Sequence, residues 1–238
     1  RLGEPPVIFS DALAERSRKN IEQMLQNDGY LHASVDFECE KRDKKRRATV
    51  TYYLHERDRY YVSDIALNTD DAALASFVDF SSEESFLRPG MPFSVDGMEQ
   101  ERSRLTKIFK DNGYYRFQKD YITFTADTTH HSNNVKLTMN IAMFAPSASD
   151  SAVAHKSYRI GDIYYVSGVG ARFDEAALSK CDTLEYHGYN ILYKESTIVR
   201  PNVLVENTYF HPGDLYSQSK IDRTYNSFAQ LTAVKYTT

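Results

Sequence analysis

An internal repeat constrains the fold of this chain more than any other feature of its sequence. A stretch with helical spacing of apolar residues begins at Phe9-Ser10 and ends at Asn27-Asp28-Gly29-Tyr30. A second begins at Phe93-Ser94 and ends at Asp111-Asn112-Gly113-Tyr114, so that both ends are offset by 84 residues. The segment Pro89–Ser94 recurs a further time as Pro212–Ser217. Such repetition is typical of chains that use one supersecondary unit several times.

The sequence also marks where the helix of each repeat begins and ends. Proline and glycine stop the preceding chain, and a serine then stands at the N-cap, where its hydroxyl can accept a hydrogen bond from the first turn. Gly29 and Gly113 follow the last apolar residue, where a left-handed residue ends a helix. We expect one face of each helix to pack into a core, and these faces carry Leu13, Ile21, Met24 and Leu25; Met98, Leu105, Ile108 and Phe109; and Ile221, Tyr225 and Phe228.

Alternating apolar residues after each helix predict strands. In the first repeat the alternation runs from Leu31 to Cys39 and resumes after a polar turn at Val50, Tyr52 and Leu54. In the second repeat its phase changes near Gln118–Tyr121, which predicts a β-bulge. The remaining predicted elements are leading strands at Tyr61–Leu67 and Tyr158–Val166, a short helix at 71–79, a return strand at Val135–Met143 and a strand pair around Thr183–Tyr193.

These elements predict an α+β fold made of tandem modules. Each module has the order strand, helix, helix, strand, strand, and consists of a three-stranded sheet covered by two helices. The predicted modules are residues 1–57, which lack the first strand; 58–146, which are complete; and 157–238, which carry an insertion at 169–211 and are truncated within the strand at Leu231–Thr238. Ala145–Lys156, rich in alanine and serine, is the predicted linker, and we expect the chain to be part of a longer one.

Several function classes are disfavoured by the residues present. A net charge of −4 gives no general attraction to nucleic acid, and no apolar run approaches the ~20 residues of a membrane helix. The basic run Lys41–Arg47 lies between two strands and predicts a solvated turn, and His130-His131 predicts a polar loop. Cys39 and Cys181 fit no metal spacing, and Gly168-Val169-Gly170 lacks the third glycine of a dinucleotide loop. We therefore predict no catalytic residues, no metal and no cofactor.

The residues resemble POTRA (polypeptide-transport-associated) domains of outer-membrane assembly factors of the BamA and TamA type, within the surface antigen family. The resemblance is carried by the module order, by the helix ends Asn27–Tyr30 and Asp111–Tyr114, and by the Tyr-x-x-x-Asp-Ile opening at Tyr60–Ile65. It implies a location on the periplasmic side of the outer membrane of a Gram-negative bacterium, with a C-terminal membrane β-barrel that this sequence does not contain. It also implies a scaffold that is not an enzyme.

The resemblance further implies partners, which are unfolded outer-membrane proteins and accessory lipoproteins or an inner-membrane partner, and no nucleic acid. Three-stranded sheets have edges whose backbone groups can pair with an extended peptide, so we predict binding by β-strand addition. The strand after each long helix is the predicted binding edge, comprising Ala33, Val35, Phe37 and Cys39 in the first module and Lys119, Tyr121, Thr123 and Thr125 in the second. The same edges could instead be solvated or covered, since native sheets normally protect them.

A surface adhesin or structural repeat protein built from similar α+β units is the alternative hypothesis. The coding sequence that follows this segment discriminates between the two. A region of alternating strands with aromatic girdles would favour the assembly factor, and a cell-wall or lipid anchor would favour the adhesin.

Overall fold

The structure is a computed structural model that describes residues 9–42, 47–129, 133–145, 151–167, 178–179, 181–194 and 199–231. By their contacts the residues group into two compact units. The first unit comprises 1–69, 79–102 and 122–141, and the second comprises 70–78, 103–121 and 142–238. These units are defined by contacts and do not test the predicted module boundaries, which stay a prediction.

The first helix, α1 (Asp11–Asn27), packs on a two-stranded antiparallel sheet of β1 (Ser34–Arg42) and β2 (Arg47–His55). Ala14 and Val35 are buried between helix and sheet, and the Tyr52 hydroxyl donates a 3.2 Å hydrogen bond to the Ala14 carbonyl. The predicted apolar face of this helix is partly wrong, because Leu13 and Met24 are 48% and 69% exposed. Two strands are too narrow a surface to cover the whole face.

A three-stranded mixed sheet follows in the order β3-β5-β4. Strand β3 (Tyr61–Asn68) is parallel to β5 (Asn134–Ile141), and β4 (Ile122–Asp127) is antiparallel to β5. The inward residues of the central strand are buried, because both neighbours and a helix layer exclude water from them; they are Val135, Leu137, Met139 and Ile141. Val62 and Phe93 complete this core with Val135 and Leu137.

Two helices lie between β3 and β4 in the chain. The predicted short helix is a single turn, α2 (Ala72–Ala75), in which the Leu74 amide donates a 3.2 Å hydrogen bond to the buried carboxylate of the N-cap Asp71. The long helix α3 (Val95–Asp111) begins after Ser94, whose hydroxyl accepts a hydrogen bond from the Gly97 amide at 3.2 Å. Both helix starts therefore have the polar caps that the sequence favours.

The predicted β-bulge before β4 is replaced by a turn. Residues Lys119–Tyr121 form one turn of 3-10 helix, and the strand begins at Ile122. The turn allows the fully buried Phe117 ring to pack against Phe109 with ring centroids 4.7 Å apart. Burial of this aromatic ring explains why the chain leaves the extended conformation that alternation alone predicts.

A second three-stranded sheet has the order β6-β8-β7. Strand β6 (Tyr164–Ser167) is parallel to β8 (Tyr189–Tyr193), and β7 (Asp182–Tyr186) is antiparallel to β8. The strand pair predicted around Thr183–Tyr193 is thus present, and it completes the sheet of β6. The strand predicted at Leu231–Thr238 lies, apart from its first residue, outside the described residues.

Helices α4 (Pro201–Glu206) and α5 (Gln218–Ala229) follow this sheet. Leu204 and Phe228 from these helices pack with Ile191 of β8 in one buried cluster. The fold class is α+β with mixed three-stranded sheets, as predicted. One detail differs, because the predicted linker is held at its far end: Phe144 and Val153 exchange two backbone hydrogen bonds of 2.9 Å, and His155 is buried.

Candidate binding edges

Strand β4 lies at an edge of its sheet, and the register shows which of its backbone groups face outward. Ile122 is opposite Ile141, and just before this pair the Ala142 amide donates to the Tyr121 carbonyl at 2.9 Å. Hydrogen-bonded and non-hydrogen-bonded pairs alternate along antiparallel strands. The backbone groups of Thr123 and Thr125 therefore point toward β5, and the outward groups belong to Ile122, Phe124 and Ala126.

The side chains of β4 form one apolar and one polar row. Ile122 is fully buried and Phe124 half-buried on the core side, whereas Thr123 and Thr125 are exposed on the other side. The Thr125 hydroxyl accepts a 3.0 Å hydrogen bond from the Asn140 amide, which belongs to the neighbouring strand. The edge thus presents backbone groups between a row that faces the core and a row that faces solvent.

The structure places the predicted residues of this edge in two different settings. Thr123 and Thr125 lie in β4, with their backbone groups turned inward. Lys119 and Tyr121 precede the strand, in the 3-10 turn, and are wrong as members of the edge strand. Tyr121 is instead an aromatic contact of the second unit, since its ring lies 4.8 Å from that of His155.

The other predicted edge, β1, belongs to a separate sheet and has the expected alternation. Ala33, predicted as part of this edge, is buried but precedes the strand, which begins at Ser34. Within the strand, Val35 is buried, Phe37 and Cys39 are half-buried, and the residues between them are exposed. The Val35 carbonyl accepts a 3.1 Å hydrogen bond from Arg18 Nη1 of α1 and so points away from β2. The same alternation then directs the backbone groups of Phe37 and Cys39 outward as well.

Arg18 occupies the beginning of the β1 edge, and two carboxylates hold it there. Its guanidinium contacts Glu15 at 2.9 Å and Glu22 at 2.6 Å. The side-chain hydrogen bond from Arg18 lowers the pKa of Glu15, and the reciprocal bond raises the pKa of Arg18, so both groups stay charged. A charged side chain over an edge carbonyl protects that position from pairing with another strand.

Sequence reasoning missed the outward residues Ile122, Phe124 and Ala126 and the guard residue Arg18. The alternation of apolar residues predicts which side chains face the core. It does not predict which backbone groups face the neighbouring strand. The one available signal for Arg18 was its place in the repeat, since it falls on Arg102 at the 84-residue offset.

In the described residues, three or more histidine, cysteine, aspartate or glutamate side chains nowhere gather in a way that could hold a metal ion. His130-His131 and Gly168-Val169-Gly170 lie outside the described ranges, as does most of the basic turn. Among the helices described, each is too short or too polar to cross a bilayer.

No protein-family model matches this chain, and no curated protein matches it. Solved structures do. Several of them are structures of BamA and Omp85 proteins. POTRA domains 3–5 of BamA from Haemophilus influenzae align with 96% of this chain and 72% of their own, at 14% identity and a TM-score of 0.45. BamA from Haemophilus ducreyi lacking POTRA domains 1–3 aligns with 59% of this chain and 24% of its own, at 18% identity and a TM-score of 0.37.

A third similar structure is POTRA1–3 of the periplasmic domain of Omp85 from Anabaena. It covers 94% of this chain and 74% of its own, at 12% identity and a TM-score of 0.33. These structures of BamA and Omp85 proteins are what the chain is similar to.

Proposed function

We propose that this chain is the periplasmic part of an outer-membrane protein assembly or translocation factor. In this proposal it binds unfolded outer-membrane polypeptides by β-strand addition and passes them to a membrane β-barrel. The observation that carries the proposal is the open edge of β4, where Ile122, Phe124 and Ala126 direct their backbone groups away from β5. Backbone pairing tolerates many sequences, as a factor with many clients requires.

The side chains beside this edge favour a particular kind of client. A strand added to β4 continues an apolar row beside Phe124 and a polar row beside Thr123 and Thr125. A segment that alternates apolar and polar residues satisfies both rows. Transmembrane strands of outer-membrane barrels have this alternation, because one face meets lipid and the other faces the lumen.

The proposal assigns the chain a binding role without catalysis or cofactors. It places the chain on the periplasmic side of the outer membrane, with accessory lipoproteins or an inner-membrane protein as further partners. Of the two predicted edges, β4 is the better candidate for the client, because Arg18 already occupies the Val35 carbonyl on β1.

Site-specific photocrosslinking in cells tests the proposal. A photoreactive residue replaces Thr123 or Thr125, whose exposed side chains flank the β4 edge, and the matched control replaces Asn20, an exposed residue of α1. We expect labelling of unfolded outer-membrane proteins from both strand positions at several times the level seen from Asn20. Equal labelling from all three positions would contradict strand addition at β4.

A further inference from the structure

The end of α1 is joined by its backbone to the segment that opens β3. The Gly29 carbonyl accepts a hydrogen bond from the Tyr60 amide at 2.9 Å, and the Tyr60 carbonyl accepts one from the Phe93 amide at 2.9 Å. Phe93 immediately precedes Ser94, the residue that caps α3. Tyr60 therefore links the end of one long helix to the start of the next, and we call this contact the first helix-end seam.

The same contact recurs at the end of α3. The Gly113 carbonyl accepts from the Tyr158 amide at 2.8 Å, and the Tyr158 carbonyl accepts from the Tyr216 amide at 3.0 Å. Tyr216 precedes Ser217, whose hydroxyl caps α5. We call this contact the second helix-end seam. Residues at equivalent places in the repeat donate and accept its hydrogen bonds, in the same order along the chain as in the first.

Two more backbone hydrogen bonds extend each seam, so that each contains four. In the first, Val62 exchanges bonds with the segment before α3, donating to Met91 at 2.8 Å and accepting from Gly90 at 2.6 Å. In the second, Ile160 donates to Asp214 at 2.8 Å and accepts from Gly213 at 2.8 Å. The repeated pattern shows that the contact belongs to the fold of the repeat and not to one accidental packing.

Backbone conformation favours glycine at both seams, and the close approach of a carbonyl additionally requires it at Gly29. Gly29 and Gly113 both have a φ of 98°, in the left-handed region. A Cβ on Gly29 would lie 2.6 Å from the Phe93 carbonyl oxygen, a distance that forces the backbone apart. A Cβ on Gly113 would meet Ser157 Cβ at 3.1 Å and Leu215 Cδ2 at 3.2 Å, so these neighbours would have to move by a few tenths of an ångström.

Side chains reinforce the two seams differently. At the first, Arg59 Nη2 contacts Asp28 Oδ1 at 2.7 Å, and its guanidinium lies 5.3 Å from the centre of the Tyr30 ring. At the second, the carboxylate of Asp111 accepts hydrogen bonds from the hydroxyls of Ser217 and Ser219 at 2.8 and 2.6 Å. Each seam thus adds a charged group to its backbone hydrogen bonds.

We propose that the helix-end seams are fixed joints that set the direction of each long helix relative to the next. Four backbone hydrogen bonds and a charged contact must break before either joint can bend, so motion at these two points is suppressed. This role is independent of client binding at β4. It makes the Gly-Tyr helix end a structural coupling between successive repeats and not only a helix stop.

Distance measurements by pulsed electron spin resonance test the first joint. Spin labels are attached at Asn20→Cys on α1 and Thr123→Cys on β4, in a background with Cys39→Ser and Cys181→Ser. We expect one narrow distance distribution in this background and a distribution about twice as wide in Gly29→Ala, because the clash opens the seam. The control is Gly188→Ala, a glycine with a φ of 79° that has no atom within 4 Å of an added Cβ.

A broad distribution in the unmodified background, or equal broadening in Gly29→Ala and Gly188→Ala, would overturn the proposal. If far-UV circular dichroism shows that Gly29→Ala does not fold, two milder variants test the joint in its place. Arg59→Ala removes the contacts to Asp28 and Tyr30, and Arg57→Ala removes an exposed arginine two residues earlier. Broadening in Arg59→Ala alone supports a fixed joint, and indistinguishable widths in the two variants reject it.

Discussion

Asp111, the last residue of α3, accepts two hydrogen bonds from Ser219 near the start of α5, from its amide at 2.7 Å and from its hydroxyl at 2.6 Å. Burial raises the pKa of Asp111, but the hydrogen bonds from Ser219 and Ser217 outweigh burial and leave that pKa below its ordinary value of 3.8. The carboxylate form is therefore favoured by folding.

The pH dependence of stability follows from this lowered pKa. The pKa of Asp111 is lower in the folded than in the unfolded chain. Its contribution to the free energy of unfolding is therefore complete above the unfolded pKa and is lost as pH falls through the folded pKa. We expect Asp111→Asn to lose about 1 kcal/mol at neutral pH and to lose less stability than the parent on acidification. Urea unfolding at several pH values measures both effects, with Asp222→Asn, an exposed aspartate of α5, as the control. An identical acid response in Asp111→Asn and the parent would contradict this assignment.

Ala126→Pro removes one of the outward amides of β4 while leaving the bonds to β5 intact. Proline is tolerated on edge strands where its missing amide faces away from the sheet. We expect this variant to keep its circular dichroism and to reduce client crosslinking from Thr123 several-fold. Ala126→Val keeps the amide and serves as the control. Unchanged crosslinking in the proline variant would show that clients do not pair with this edge.

Arg18→Gln removes the charge that covers the Val35 carbonyl of β1. Because the ion pairs with Glu15 and Glu22 are partly exposed and screened by solvent, we expect only a small loss in unfolding free energy. We also expect concentration-dependent association, since an unprotected edge pairs with other strands. Sedimentation velocity measures it, and Arg16→Gln on the same helix is the matched exposed control. A strictly monomeric Arg18→Gln protein would show that the arginine does not guard the edge.

Tyr165 provides a test at alkaline pH. Burial raises its pKa to about 12, and its hydroxyl is hydrogen-bonded to Thr208. A raised tyrosine pKa means that folding favours the neutral hydroxyl. The contribution of Tyr165 to the free energy of unfolding is therefore complete below the unfolded pKa of about 10 and is lost as pH rises toward 12. Tyr165→Phe should therefore lose less thermal stability than the parent across this range. Tyr164→Phe, an exposed tyrosine next to it on β6, is the comparison.

Much of the fold follows from local sequence signals, and particular residues show where these signals stop. The glycines at 29 and 113, the caps at Ser94 and Ser217 and the alternation in β1 were all predictable, because each depends on residues close in the chain. The cap bond expected at Ser10 is absent from that residue's side chain. The helix still begins directly after Ser10, so its start does not depend on that hydrogen bond.

The misses have one physical origin, since each depends on contacts between distant parts of the chain. The turn at Lys119–Tyr121 exists because Phe117 is buried against Phe109, and the alternation of residues contains no record of that packing. The outward groups of β4 depend on its register with β5, and the seams depend on segments that are distant in the chain. Tertiary context overrides local propensity at these positions.

The Asn140 side chain connects all three strands of its sheet on the solvent side, donating to Thr125 on one strand and accepting from Asn68 on the other. Both ends of this amide are thus engaged within the protein. In the proposed strand addition, the polar residues of a client strand beside β4 would compete with these bonds for Asn140. The choice among clients would then depend more on the apolar residues that lie beside Phe124.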